Sequence, residues 1–171
     1  MSDFWVFGYG SLMWNPGFEH QGGQPALLCG AHRSLCVYSW VHRGTQERPG
    51  LVFGLDRGGA CRGMAWRVSG SLREQTIDYL RAREQVTMVY LETWRKIRLQ
   101  SGETAEALTY VVNRAHPQYA GTLPLERQLE IVVEAAGQSG RNPEYVLNTA
   151  SHLEDLGIKD HGVSWLSDRL R

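Results

Sequence analysis

The sequence predicts an α+β fold in which a mixed, mostly antiparallel sheet curls into a small barrel with flanking helices. Three observations predict it. Strand signals fill the first part of the chain, one amphipathic helix interrupts them, and a further pair of strands follows. The last third then switches to helical spacing. The regular alternation of strand and helix that marks a parallel α/β sheet is missing.

The elements can be taken in order. Phe4-Trp5-Val6-Phe7 is aromatic and β-branched and is broken by Gly8 and Gly10, as expected of a buried strand. Asn15-Pro16-Gly17 and Gln21-Gly22-Gly23-Gln24-Pro25 mark turns. Strand-like stretches follow at Ala26 to Tyr38, Leu51 to Leu55 and Gly63 to Val68; in the last, Met64, Trp66 and Val68 alternate with Ala65 and Arg67. Ser71-Leu72-Arg73-Glu74 fits a capping box that opens a helix with Leu72, Ile77 and Leu80 on one face, running to Arg83 or Glu84. Strand signals at Met88 to Leu99 and Ala107 to Asn113, separated by Ser101-Gly102, predict a hairpin.

Helical spacing then takes over. Leu125, Leu129, Val132, Val133 and Ala136 form one stripe, with Gly137 as its expected left-handed stop. Asn142-Pro143-Glu144 reads as a cap, a proline at the first helical position and an early acid, for a helix that ends near Gly157. A short last helix is expected near Val163 to Leu170. No repeat, low-complexity tract or linker interrupts the 171 residues, so residues 1–171 read as a single domain.

Composition narrows the function classes. Acidic and basic residues balance at 18 each, so no net field favours nucleic acid or a membrane surface. Lys96 and Lys159 are the only lysines. Cys29, Cys36 and Cys61 are odd in number and without CxxC spacing, which points to a reducing compartment rather than a disulfide framework or a zinc site. No apolar run is long enough to span a bilayer, and the first residues lack a signal-peptide pattern. A cytoplasmic protein without metal is the expectation. The six histidines show no HExxH or facial-triad spacing, and Ser11 has no GxSxG elbow.

Two segments can carry chemistry. Gly8-Tyr9-Gly10-Ser11-Leu12-Met13 ends the first strand, and its glycines let consecutive backbone N–H groups face an anion; taken alone it reads first as a tight turn that needs glycine. A dinucleotide site is excluded, because Met13 stands where the third glycine belongs and Pro16 interrupts any following helix. Arg83-Glu84 closes the first helix. By spacing it is a solvated end, yet an acid there faces the negative end of the helix dipole, and a partly desolvated carboxyl would have its pKa raised. Arg43 and Arg48 lie in a polar loop that can bind a carboxylate or simply cross the surface.

Together these segments resemble the ChaC family of γ-glutamylcyclotransferases. Trp5 to Phe18 is similar to that family's opening, His42-Arg43-Gly44-Thr45 with Arg48-Pro49-Gly50 to its second segment, and Tyr79-Leu80 with Arg83-Glu84 to the region of its catalytic glutamate. Asn113 to Gly121, Ser139 to Tyr145 and Leu156-Gly157-Ile158 complete a resemblance that spans nearly the whole chain in order. It implies a γ-glutamylcyclotransferase-like fold and a carbon–nitrogen lyase that cyclises the γ-glutamyl group of glutathione to 5-oxoproline and releases Cys-Gly, with no cofactor. It implies Glu84 as general acid/base and Gly8, Tyr9, Gly10, Ser11, Leu12 and Met13 as the substrate-binding turn. Tyr119, Arg43 and Tyr38 are further candidates for the wall of the site. A monomer with a small-molecule partner is expected. The chain departs from the family pattern after Glu84: Gln85-Val86-Thr87-Met88 stands where a basic residue and two glycines are common. Two alternatives follow, a cyclotransferase for another γ-glutamyl amine and a non-catalytic module that binds γ-glutamyl ligands.

Overall fold

In the computed structural model, residues 2–85 and 88–171 are described. The chain folds as two compact units, residues 1–33 with 55–113, and residues 34–54 with 114–171.

The first unit is organised by a closed barrel with strand order β1-β3-β2-β4-β5. Its strands are β1 (Phe4–Gly8), β2 (Gly23–Ser39), β3 (Gly50–Val68), β4 (Tyr90–Leu99) and β5 (Thr104–Val112). β1 runs antiparallel to β3, with Phe4 opposite Val68 and Gly8 opposite Met64. It runs parallel to β5, with Trp5 opposite Ala107. β2 pairs antiparallel with β4 through Ala26 to Leu28, and β4 with β5 from Tyr90–Val112 to Arg98–Thr104. The mixed, mostly antiparallel barrel and the β4–β5 hairpin are as the sequence predicts.

Leu51 to Val68 departs from that expectation. The two expected strands are one continuous strand, β3, because the Arg57-Gly58-Gly59 stretch bends the strand without ending it. Gly58 and Gly59 adopt φ of 96° and 70°, and the Gly58 carbonyl lies 2.9 Å from His32 Nδ1 on β2. Glycines in the left-handed region inside a strand turn its direction as bulges do.

Helix α1 (Arg73–Glu84) follows a short 3-10 turn at Gly70–Leu72. Leu80 is fully buried in a cluster with Phe4, Val6, Leu12, Val68, Leu108 and Tyr110, against which Leu72 and Ile77 also pack. This is the face read from the sequence. The capping box is not formed: the capping hydroxyl is that of Ser69, which accepts the Ser71 N–H, and α1 itself has no side-chain cap.

The second unit holds α2 (Leu125–Glu134), α3 (Asn142–Asp155) and α4 (His161–Leu170), which pack on one another. Val132, Val146, Leu153, Val163 and Leu166 are buried. Asp160 caps α4, accepting the Val163 N–H at 3.0 Å, and Gly157 (φ 70°) ends the turn after α3. Two expectations change here. Gly137 does not stop α2; it belongs to β6 (Ala136–Gly137), which pairs with β7 (Gly140–Arg141). A Cβ at Gly137 would meet the Val41 carbonyl and the backbone of His42 and Gly44, so glycine is required there for close approach of the 41–44 loop. Asn142 does not cap α3 either. Its buried amide acts as a strand partner for Leu51, accepting the Leu51 N–H at 2.8 Å and donating to the Leu51 carbonyl at 2.9 Å.

Replacing Asn142 with alanine leaves both backbone groups of Leu51 without that partner, at a cost of about 1–3 kcal/mol for each group. A urea titration should show the unfolding midpoint falling accordingly.

Candidate active site

The turn after β1 is shaped by close packing at one glycine and by open space at the other. A Cβ on Gly8 would lie 2.6 Å from Leu12 Cβ, because the 3-10 turn Ser11–Met13 folds back on the strand end. A Cβ on Gly10 would meet no described atom within 4 Å.

The carbonyls of this turn are drawn into the protein. Phe7 O accepts from Thr109 Oγ1 at 3.1 Å, Tyr9 O from Arg33 Nε at 2.6 Å, and Leu12 O from Trp66 Nε1 at 2.8 Å. Gly10 O accepts the Met13 N–H at 2.9 Å. A trans peptide places C=O and N–H on opposite sides. The Gly10 N–H, sharing its peptide with the Tyr9 carbonyl, therefore points away from Arg33, on the residue whose own flank is open.

Arg33, which holds the turn from inside the fold, is a residue that the sequence reading missed. It is only 7% exposed on β2, and it also donates to Arg62 O at 2.7 Å and to Met13 Sδ at 3.5 Å. The signal was available: Ala31, Arg33, Leu35 and Val37 occupy alternate, buried positions of one strand. A charged residue in such a register must find strong partners, and it finds carbonyls of the turn.

Glu84 is the last residue of α1, with its side chain 17% exposed. Burial pushes its carboxyl above the usual carboxylate range, and the neighbouring Arg83 charge, with Nε 3.7 Å from Oε1, opposes that shift. The same Arg83 reaches the turn, donating to Ser11 Oγ at 2.7 Å. Among the expected site residues, the structure thus connects Ser11 to Glu84 through one guanidinium.

A second carboxylate is tuned the other way. Glu92 on β4 is held below its ordinary range by the forked hydrogen bond from Arg81, at 3.1 and 3.0 Å, and also accepts from Tyr110 OH at 2.9 Å. Tyr110 is 1% exposed; burial, the bond to Glu92 and the charge of Glu84 all raise its pKa, so its hydroxyl stays protonated. The two acids thus shift in opposite directions, Glu92 toward keeping its charge and Glu84 toward keeping its proton.

Beyond Glu84, Gln85 closes the helix through its N–H to Arg81 O, and its side chain donates to Tyr90 O at 3.2 Å. Met88 is 56% exposed with φ of 61°. Val86 and Thr87, within the stretch that departs from the family pattern, lie outside the described residues.

The remaining candidates belong to the second unit. Arg43 lies over the Tyr145 ring at 5.5 Å and donates to Arg141 O at 3.2 Å. Tyr119 bridges to Val37, with Arg114 over its ring, and Tyr38 donates its N–H to Gln118 O at 2.7 Å. Among the described residues, no group of three or more His, Cys, Asp or Glu is placed to hold a metal ion.

The comparison with known proteins is decisive at the level of family. Residues 4–171 match the family model described as ChaC-like protein. The chain belongs to the ChaC-like family. Among curated relatives, the glutathione-specific γ-glutamylcyclotransferase of Escherichia coli is 34% identical over 94% of this chain and 69% of its own length. γ-Glutamylcyclotransferase 2-3 of Arabidopsis thaliana is 30% identical over 98% and 88%. A human relative, glutathione-specific γ-glutamylcyclotransferase 1, is 32% identical over 90% and 71%. A crystal structure of the yeast γ-glutamyl cyclotransferase specific to glutathione superposes with TM-score 0.86 at 21% identity, covering 99% of this chain and 96% of that one, which establishes the expected γ-glutamylcyclotransferase-like fold.

Two outcomes test this local structure. Gly8→Ala should destabilise the protein by about 1–3 kcal/mol through the clash with Leu12, as read by thermal unfolding. Glu84 gives a pH signature. Its folded pKa lies above the ordinary 4.5, so the stability contributed by its protonated form is present below that value and lost as pH rises through the folded pKa. Glu84→Gln escapes this loss, so the variant should melt higher than wild type at neutral pH, by a margin that narrows as pH falls toward 4.5.

Proposed function

We propose that this chain is a γ-glutamylcyclotransferase that converts glutathione to 5-oxoproline and Cys-Gly, with Glu84 moving the proton. The observation that carries the reading is the buried, upward-shifted carboxyl of Glu84, tied through Arg83 to the turn at Ser11, in a chain of the ChaC-like family. Relatives named as glutathione-specific cyclotransferases support the substrate.

In this reading the nucleophile is the substrate's own α-amino nitrogen. It forms the ring C–N bond at the γ-carbonyl while the amide C–N bond to the cysteinyl nitrogen breaks. The attacking nitrogen begins as an ammonium and ends as a lactam N–H, so it sheds two protons. The leaving nitrogen gains two as it becomes an ammonium. Glu84 accepts one proton to free the attacking lone pair and returns it to the leaving nitrogen, and the ring nitrogen's second proton follows the same route through Glu84 as the amide bond breaks. A carboxylate in water is too weak a base for an ammonium; raising its pKa by burial narrows that gap. No enzyme nucleophile, redox partner or water enters the balance.

The protein's larger task is to hold the γ-glutamyl chain in its ring-closing shape, which can contribute up to about 7–11 kcal/mol. The Gly8–Met13 turn is suited to it, since its carbonyls are held inward and the Gly10 N–H faces the other way. An N–H that meets the developing oxyanion would contribute about 2.7–4 kcal/mol. Arg43 and Tyr119 enter the proposal as substrate contacts through the family resemblance alone. The same proposal takes residues 1–171 as one ChaC-like domain that acts as a monomer in the cytoplasm on a small-molecule substrate, without nucleic acid or membrane. Among the described residues no helix is long and apolar enough to cross a membrane.

A second reading, turnover of another γ-glutamyl amine, is favoured by the stretch after Glu84, where exposed Met88 adopts a left-handed backbone. Purified protein given glutathione should release 5-oxoproline, and Glu84→Gln should lower kcat by about 10²–10⁴-fold. Turnover of other γ-glutamyl amines alone would select the second reading. Binding of glutathione without 5-oxoproline would identify a non-catalytic module instead.

A further inference from the structure

We propose that Arg83 is a positioning residue that sets both halves of the site, clamping the Ser11–Pro16 segment to the end of α1 while fixing the charge environment of Glu84. The inference deepens the cyclotransferase reading and rests on it only for its kinetic arm.

The geometry is that of a clamp. Arg83 Nη2 donates to Ser11 Oγ at 2.7 Å, and Nη1 approaches Asn15 O at 2.9 Å, Pro16 O at 3.1 Å and Tyr79 OH at 3.1 Å. Nε faces Glu84 Oε1 at 3.7 Å. One planar fork therefore serves the turn, the loop beyond it, the preceding turn of its own helix and the adjacent acid. A lysine carries the charge but not the fork, and cannot span acceptors in these different directions.

An independent feature shows that the chain is built around this clamp. Gly17 has φ of 76°, and a Cβ there would collide with the Tyr79 hydroxyl and lie 3.3 Å from Arg83 Nη1. The loop approaches this closely only because residue 17 is glycine. Ser11 Oγ, by accepting from Arg83, is left with its own O–H to donate. The clamp thereby fixes the direction of the serine at the mouth of the turn.

The charge acting on the Glu84 carboxyl is that of Arg83 from its own helix; the Glu84 charge in turn raises Tyr110 on β5, whose hydroxyl donates to Glu92 on β4, itself paired with Arg81. Tyr110 stays neutral and Glu92 stays paired, so the cation that responds to substitution at 83 is Arg83 itself.

The test uses Arg83→Met and Arg83→Lys in the whole protein. NMR titration of the Glu84 carboxyl reads the charge effect without substrate: the midpoint should rise in Arg83→Met and return toward wild type in Arg83→Lys. Steady-state kinetics read the clamp. Arg83→Lys should keep the acid limb of the kcat/KM profile near its wild-type position yet lose about a hundredfold in kcat/KM, and Arg83→Met should lose at least as much with that limb moved to higher pH. An unchanged Glu84 midpoint in Arg83→Met, or wild-type kcat/KM in Arg83→Lys, overturns the proposal. If Arg83→Met does not fold, Arg83→Lys decides alone by the same criterion. A wild-type protein that releases no 5-oxoproline sinks the cyclotransferase reading instead, and the clamp is then judged by the Glu84 titration and by amide exchange of residues 11–15, which should quicken in both variants.

Discussion

The constraint on which the first unit depends is the capture of turn carbonyls by side chains from several strands. Thr109 on β5, Arg33 on β2 and Trp66 on β3 each take one carbonyl of the Phe7–Leu12 stretch. A turn leaving the middle of a barrel buries polar backbone that neighbouring strands cannot pair by regular ladders. Side-chain donors complete the pairing and fix the orientation of every peptide between them. The closed strand order brings those three donors around β1, so barrel closure and turn geometry are one problem with one solution.

Electrostatics then divide the work between two acids. Glu92 has a forked arginine and a tyrosine hydroxyl, and it stays charged. Glu84 has burial and a longer contact with Arg83, and its proton is retained to higher pH. Charge-assisted hydrogen bonds of good geometry outweigh desolvation in the first case, and desolvation outweighs a 3.7 Å contact in the second.

Much of this was legible in the sequence, and the exceptions have physical causes. The aromatic β1, the β4–β5 hairpin and the α1 face around Leu80 follow from periodicity, which depends only on neighbours along the chain. Gly58-Gly59 reads as a break because local rules treat paired glycines as turns, whereas sheet pairing carries β3 through them. Ser71 and Asn142 have the chemistry of caps, but Ser69 takes the capping place beside Ser71 and a tertiary partner, Leu51, takes the Asn142 amide. Arg33 escapes notice because the carbonyls that hold it are distant in sequence. For Glu84 the pattern gave position and the fold supplied burial; the proposed role in proton transfer rests on the family resemblance joined to that burial.

The Asn142 side chain that pairs with Leu51 has a further consequence, for chemical ageing. Asparagines commonly decay when the backbone nitrogen of the next residue attacks the side-chain amide and expels ammonia. That nitrogen must first give up its hydrogen. Here the next residue is Pro143, whose nitrogen carries none. The residue that ties α3 to the backbone of β3 is thus shielded from that route of decay by its neighbour in sequence, over the lifetime of the folded molecule.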